Sequence, residues 1–330
     1  MTARRAILSV PRRIAMAALA PIERRGLERA AELPPPRTVF IIGPPRSGTT
    51  LLYELLAMRF GFAYFSNAAH RLPHTPITAT RLFRPLIRGW RGTFQSDYGR
   101  LRGWGAPSEA GWIWDRWMGG FEAMEADDLD PAAALELRCS IAAVADALGG
   151  PFLAKNVAHS VRMRALDRIF PDAVFIALRR DEGDVIRSIY RMRQRRLGEP
   201  GGGLSAWLSV RPRGWESHRN RPPIEQIAAQ VFGVQCDIGR DALAIGPGRL
   251  HCVQYEELAS DPRCELERIR MFMAGHGILP PPRFDVPPHF DRPALIALDD
   301  DLERQLVRAV ETWRPRAAAA TRAPIRRRAA

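Results

Sequence analysis

One stretch, TVFIIGPPRSGTTLLYELLAM (38–58), constrains the fold of this 330-residue chain more than any other. Residues 38–42 are apolar and β-branched, bounded by proline and glycine, which predicts a strand buried on both faces. The Gly/Pro turn that follows leads straight into a helical pattern over 49–58. A strand that turns through glycines into a helix aims backbone N–H groups and the helix N-terminus at one point, and so builds an anion site. Gly43 and Gly48 have the G-x-x-x-x-G spacing of a phosphate loop. Nucleoside-triphosphate loops continue with lysine, whereas Thr49 and Thr50 stand here, and the basic residue is Arg46, two positions before the glycine.

The rest of the chain alternates short apolar runs with helical patterns. Strands are expected at 152–154, 173–178 and 250–254. Helices are expected at 131–150, 160–170, 182–196, 224–244 and 262–274. Strand–helix alternation predicts an α/β fold: a P-loop-like three-layer architecture with a central parallel sheet flanked by helices. Three units are read along the chain: a basic amphipathic segment at 1–36, interrupted at Pro11 and Pro21; a main domain at 37–314; and a frayed basic tail at 315–330. The first segment reads as a helix docked on the body, with peripheral contact to an anionic membrane as the alternative. GEPGGG at 198–203 reads as a mobile loop.

Hydrophobic content of 46% and charged content of 26% fit a soluble globular protein. The net charge of +13 suggests an anionic partner without choosing among nucleotide, nucleic acid and membrane. Cys139, Cys236, Cys252 and Cys264 are far apart and show no metal spacing, so neither a metal nor a disulfide framework is expected, and a reducing cytoplasm is. No apolar run reaches the roughly 20 residues of a spanning helix.

Pro45-Arg46-Ser47-Gly48-Thr49-Thr50 closely resembles the P-[KR]-S-G-T-T loop of sulfotransferases that use 3′-phosphoadenosine 5′-phosphosulfate (PAPS), in their bacterial branch. Their second motif, an arginine at a strand end and a serine eight residues on, is matched by Arg180 and Ser188 in FIALRRDEGDVIRS. FPDAVFIAL, RPRGW, IAAQVF and VQYEELASDP also resemble the family, in order along the chain. The resemblance implies that Arg46, Ser47, Gly48, Thr49 and Thr50 bind the 5′-phosphosulfate and that Arg180 and Ser188 bind the 3′-phosphate. Tyr255 either borders the nucleotide or belongs to the core. The family's late R-K-G segment has no counterpart here. The implied partners are the nucleotide co-substrate and an acceptor whose identity stays open: carbohydrate, lipid or another small molecule.

Lys155 is the single lysine; the other 48 basic residues are arginine. It follows a predicted strand, at the sheet edge where α/β proteins bind ligands. Its compact ammonium follows charge on a leaving oxygen better than a rigid guanidinium does. The resemblance implies this role for Lys155, alongside Arg46. The acceptor must also lose a proton. Glu109, His159 and His70 are the candidate bases, with Glu109 favoured because the family's histidine position is occupied by Val157. The competing readings are a nucleotide-dependent kinase or NTPase, opposed by the missing loop lysine, and a nucleic-acid-binding protein, which rests on charge alone. Trp114 and Trp117 share a helical face, which points to packing.

Overall fold

Four strands pair in parallel in the order β2-β1-β3-β4: β1 (Thr38–Ile42), β2 (Phe152–Lys155), β3 (Val174–Arg179) and β4 (Leu250–Gln254). The structure is a computed structural model and describes residues 10–96, 99–197, 207–292, 294 and 297–322. The loop read at 198–203, the first nine residues and the tail beyond 322 lie outside it.

The continuous apolar run of β1 follows from its place inside the sheet. Phe40 and Ile42 face one apolar cluster with Phe152, Ala154, Phe175 and Ala177. Val39 and Ile41 face the opposite cluster with Leu153, Val174, Ile176 and Leu178. Both faces are covered, so no position on the strand can be polar without a partner.

The helices are α1 (Val10–Ala30), α2 (Thr49–Arg59), α3 (Asn67–Arg71), α4 (Pro76–Leu82), α5 (Arg84–Arg88), α6 (Gly111–Met118), α7 (Pro131–Leu148), α8 (Met163–Ile169), α9 (Glu182–Leu197), α10 (Pro223–Ile245), α11 (Tyr255–Ser260), α12 (Pro262–Gly275) and α13 (Asp300–Arg322). α7 begins as its sequence dictates. Asp130 caps it by accepting from Ala133 N at 2.9 Å, Pro131 opens the first turn, and Gly149 ends it in the left-handed region.

Two terminal elements differ from the sequence reading. α1 is one helix that runs through Pro21. Pro21 and Ala17 both face solvent, so water can solvate the carbonyl that proline leaves without its bond. α13 likewise continues through Pro315, and Ala317 is buried among residues of α9 and α10. Residues 315–322 are thus helical where a frayed tail was expected, with Ala317 packed on the body. The expected helix at 160–170 is divided: a tight 3₁₀ turn at Val157–Val161 precedes α8.

α1 docks through Met16, Glu23, Gly26 and Ala30. Glu23 is buried, and its carboxylate accepts from Ile77 N at 2.9 Å, Thr78 N at 2.8 Å and Thr78 Oγ1 at 2.7 Å. A side chain on one helix thus satisfies the open first-turn amides of another. Glu23→Ala should destabilise the protein by about 1–3 kcal/mol, the cost of buried donors left without a partner. Urea denaturation of the variant and parent measures it, and an unchanged midpoint would count against this anchoring.

Candidate active site

All four strands end at the same edge of the sheet, and each ends on a residue singled out from sequence or next to one. β1 runs into the 43–48 loop. β2 ends on Lys155, in register with Ile41 of β1. β3 ends on Arg179, next to Arg180, and β4 on Gln254, next to Tyr255. Because β1 lies between β2 and β3, the loop is flanked by Lys155 on one side and Arg180 on the other. Connections leave β1 and β3 in opposite directions, and ligands bind in the crevice formed at such a switch point.

The loop is held in an unusual backbone. Gly48, the N-cap of α2, has φ 101°, and Arg46 has φ 68°. A left-handed arginine costs on the order of 1–3 kcal/mol. At Gly48 a Cβ would lie 2.4 Å from Tyr255 Cδ2, so glycine is required twice over, by conformation and by contact. The Ser160 hydroxyl accepts from Gly43 N at 2.9 Å and donates to Gly43 O at 3.0 Å. Ser47 Oγ donates to Pro44 O at 2.8 Å. No side chain caps α2; Leu51 N and Leu52 N donate to Gly48 O, and the amides before them are the ones a helix N-terminus offers to an anion.

The second motif meets the loop. Arg46 Nε donates to Ser188 Oγ at 3.1 Å. The Arg180 guanidinium lies 4.5 Å from the Tyr255 ring centroid, and Nη2 is 3.6 Å from Asp184 Oδ2. Its Nε is buried without a hydrogen-bond partner. A buried cationic donor without a partner calls for an explanation beyond packing. Burial raises the Tyr255 phenol above its usual 10, against the lowering effect of Arg180.

On the other side of β1, Lys155 is 3% exposed. Its Nζ donates to Thr50 Oγ1 at 3.2 Å and to the Glu109 carboxylate in a short ion pair. Asn156 Nδ2 donates to the Glu109 carbonyl at 3.1 Å. Gly99, at φ 85°, packs against the same carboxylate, and a Cβ there would lie 2.9 Å from Glu109 Oε1. Lysine, carboxylate and the first turn of the loop helix therefore form one cluster.

The two histidines are elsewhere. His159 is fully buried, its ring 4.4 Å from Trp114 and 5.4 Å from Phe40, and neither nitrogen is hydrogen-bonded. Its 3₁₀ turn aims it into the core. His70 stacks on Trp112 at 4.7 Å, and burial, with Arg100, Arg71 and Arg12 nearby, lowers its pKa to about 4. Trp114 and Trp117 are core residues. Sequence reasoning missed Ser160, Asn156 and Asp184, whose roles depend on contacts that no local pattern marks.

Residues 36–274 match the family described as "Sulfotransferase family". The chain belongs to this family. Its chemistry is sulfuryl transfer. No curated protein matches the chain in sequence. Among solved structures it is similar to sulfotransferase STF9 from Mycobacterium avium, with 16% identity and a TM-score of 0.53, covering 90% of this chain and 81% of that one. It is also similar to sulfotransferase STF1 from Mycobacterium tuberculosis H37Rv, with 15% identity and a TM-score of 0.51, covering 96% and 89% respectively. At these identities the likeness establishes the shared fold. Among the described residues of this sulfotransferase, no helix is long and apolar enough to cross a membrane.

The buried His159 generates a pH prediction. Burial, then Arg162 and Lys155, lower its pKa well below 6.5, so the folded protein keeps it neutral. Below about pH 6.5 the unfolded chain binds a proton that the folded state refuses. Stability from this group is full above pH 6.5 and falls by about 1.4 kcal/mol per unit as the pH drops. His159→Phe should remove that share of the slope. Parallel urea melts between pH 7.5 and 5 measure the difference, and identical slopes would show that His159 is not a buried neutral group.

Proposed function

We propose that this sulfotransferase uses PAPS as its donor and moves the sulfuryl group to a hydroxyl or amine of a small-molecule acceptor, releasing 3′-phosphoadenosine 5′-phosphate (PAP). The observation that carries this reading is the position of Lys155, bonded at once to Thr50 of the loop helix and to Glu109. A point charge beside the anion loop, with a carboxylate on its far side, is what transfer from a phosphate to a nucleophile needs.

PAPS supplies the sulfuryl group and a phosphate leaving group. It carries anions at two ends, and the site offers two anchors. The 43–48 loop and the open N-terminus of α2 suit the 5′ end. Arg180, with its unpartnered Nε, and Ser188 suit the 3′-phosphate. Arg46 joins the anchors through Ser188. A nucleoside triphosphate lacks the 3′ group that Arg180 awaits.

In-line transfer forms a bond from the acceptor oxygen or nitrogen to sulfur and breaks the bond from sulfur to the bridging oxygen. The electron pair of that second bond stays on the bridging oxygen. Lys155 and Arg46 stabilise the charge that grows there. The acceptor proton passes to Glu109, the more accessible member of the ion pair, at 34% against 3% for Lys155. His159, enclosed by Phe40 and Trp114, and His70, stacked on Trp112, take no proton in this scheme. A reducing cytoplasm suits the four unpaired cysteines.

Two variants test the proposal. Arg180→Ala should weaken PAP binding by about 2–3 kcal/mol, the scale of a charge-assisted bond, while ATP binding changes little. Isothermal titration reads both, and unaltered PAP affinity would remove Arg180 from the 3′ site. Lys155→Arg keeps the charge and should keep folding and PAP affinity. Turnover should fall by about 10²-fold or more, because the loss is confined to charge that appears in the transition state. Steady-state turnover of PAPS measures this, and a variant as fast as the parent would rule out the lysine role.

A further inference from the structure

Residues 61–108 carry a surface that the transfer chemistry does not use. Between Gly61 and Ser108 the chain has seven arginines and one acidic residue, Asp97. α4 and α5 meet at Phe83 and expose Leu82 and Leu86, at 63% and 53%. Trp104, 49% exposed, stacks on Phe83 at 5.5 Å, and the Arg71 guanidinium lies 4.6 Å from its ring centroid. The Tyr64 hydroxyl lies 3.4 Å from Ile87 O and 3.2 Å from Gly105 O, which ties the Trp104 loop to α5. The result is one continuous apolar face.

Its charges differ from those elsewhere. Arg213, Arg249 and Arg187 each pair with carboxylates of the fold. Among the described residues, Arg71, Arg81, Arg84, Arg88 and Arg102 form no ion pair with a carboxylate. Arg81, Arg84, Arg88 and Arg102 are exposed beside the leucines and Trp104. Unneutralised guanidinium groups around exposed leucine and tryptophan match the headgroup and upper acyl region of an anionic bilayer. A nucleic acid would satisfy the arginines but leave the leucines without a purpose. The outer face of α1 is the weaker candidate, because Glu28 lies among its arginines and pairs with Arg24.

We infer that the α4–α5 face, with Trp104, docks on an anionic membrane surface. The docking does not rest on the sulfotransferase reading, and the test below needs no turnover.

The experiment is sedimentation of the full chain with phosphatidylcholine vesicles, with and without phosphatidylglycerol, across a salt series. Binding should require phosphatidylglycerol and weaken with salt. Arg81→Gln and Arg84→Gln should each reduce partitioning roughly fivefold, the contribution expected of one basic residue at an anionic surface. Leu82→Ser and Leu86→Ser, both at exposed positions, should reduce it with no change in melting temperature. Ile14→Ser, on the outer face of α1, should leave it unchanged. The inference is overturned by absence of vesicle binding, by binding that only Ile14→Ser disrupts, or by equal binding to heparin that the leucine variants do not affect. Concentration-dependent dimerisation through this face without vesicle binding would assign it to a second copy and equally overturn it.

Discussion

Hydrogen bonding of β1 to β2 on one side and to β3 on the other determines where the glycine loop, Lys155 and Arg180 emerge. The register sets Ile41 opposite Lys155 and Ile42 opposite Ala177. With all strands parallel, the loop, the lysine and the arginine must leave the sheet at one edge. A slip of one residue would turn Lys155 from the cleft into a core cluster. The burial of both faces of β1 prevents that slip, so the packing that stabilises the sheet also places the chemistry.

Around that edge the charges are held in pairs. Lys155 pairs with Glu109, Arg46 bonds to Ser188, and Arg180 lies between Tyr255 and Asp184. Asp184 also lies 3.6 Å from Arg187, which pairs with Glu303 of α13. Arg180 is therefore connected, through Asp184 and Arg187 of α9, to a helix outside the family-matching region. Partners of this kind limit the rotamers of long side chains, so less freedom is lost when a ligand arrives. The RPRGW segment serves the frame instead. Arg213 joins Glu125 at 2.6 Å, Asp237 at 3.2 Å and Asp241 at 3.4 Å, and burial raises Asp241 to about pKa 6.

Much of the fold was legible before any coordinates. TVFII and LHCVQ are strands with the boundaries their punctuation implied, because Pro and Gly interrupt ladders for local reasons. α10 and α12 were read to within a residue or so, since one-sided burial imposes a helical period on the sequence. Pro21 of α1 misled, because the cost of breaking one backbone bond is local while the gain from docking a whole face is not.

The sequence by itself determined the chemical vocabulary: a strand entering a glycine turn, an arginine in that turn, and one lysine in a chain of arginines. Each is a local pattern, and local physics is what a short stretch can encode. Only the tertiary structure decided which of these groups act together. Ser160 holds Gly43 across 117 residues, Arg46 meets Ser188 across 142, and Lys155 meets Glu109 across 46. His159 and Glu109 were both candidate bases on paper, with Glu109 favoured. Parallel pairing and the 3₁₀ turn after β2 send one into the core between Phe40 and Trp114 and bring the other against the lysine. Burial is a property of the whole packed chain, so a linear sequence names candidate bases but cannot say which of them reaches the cleft.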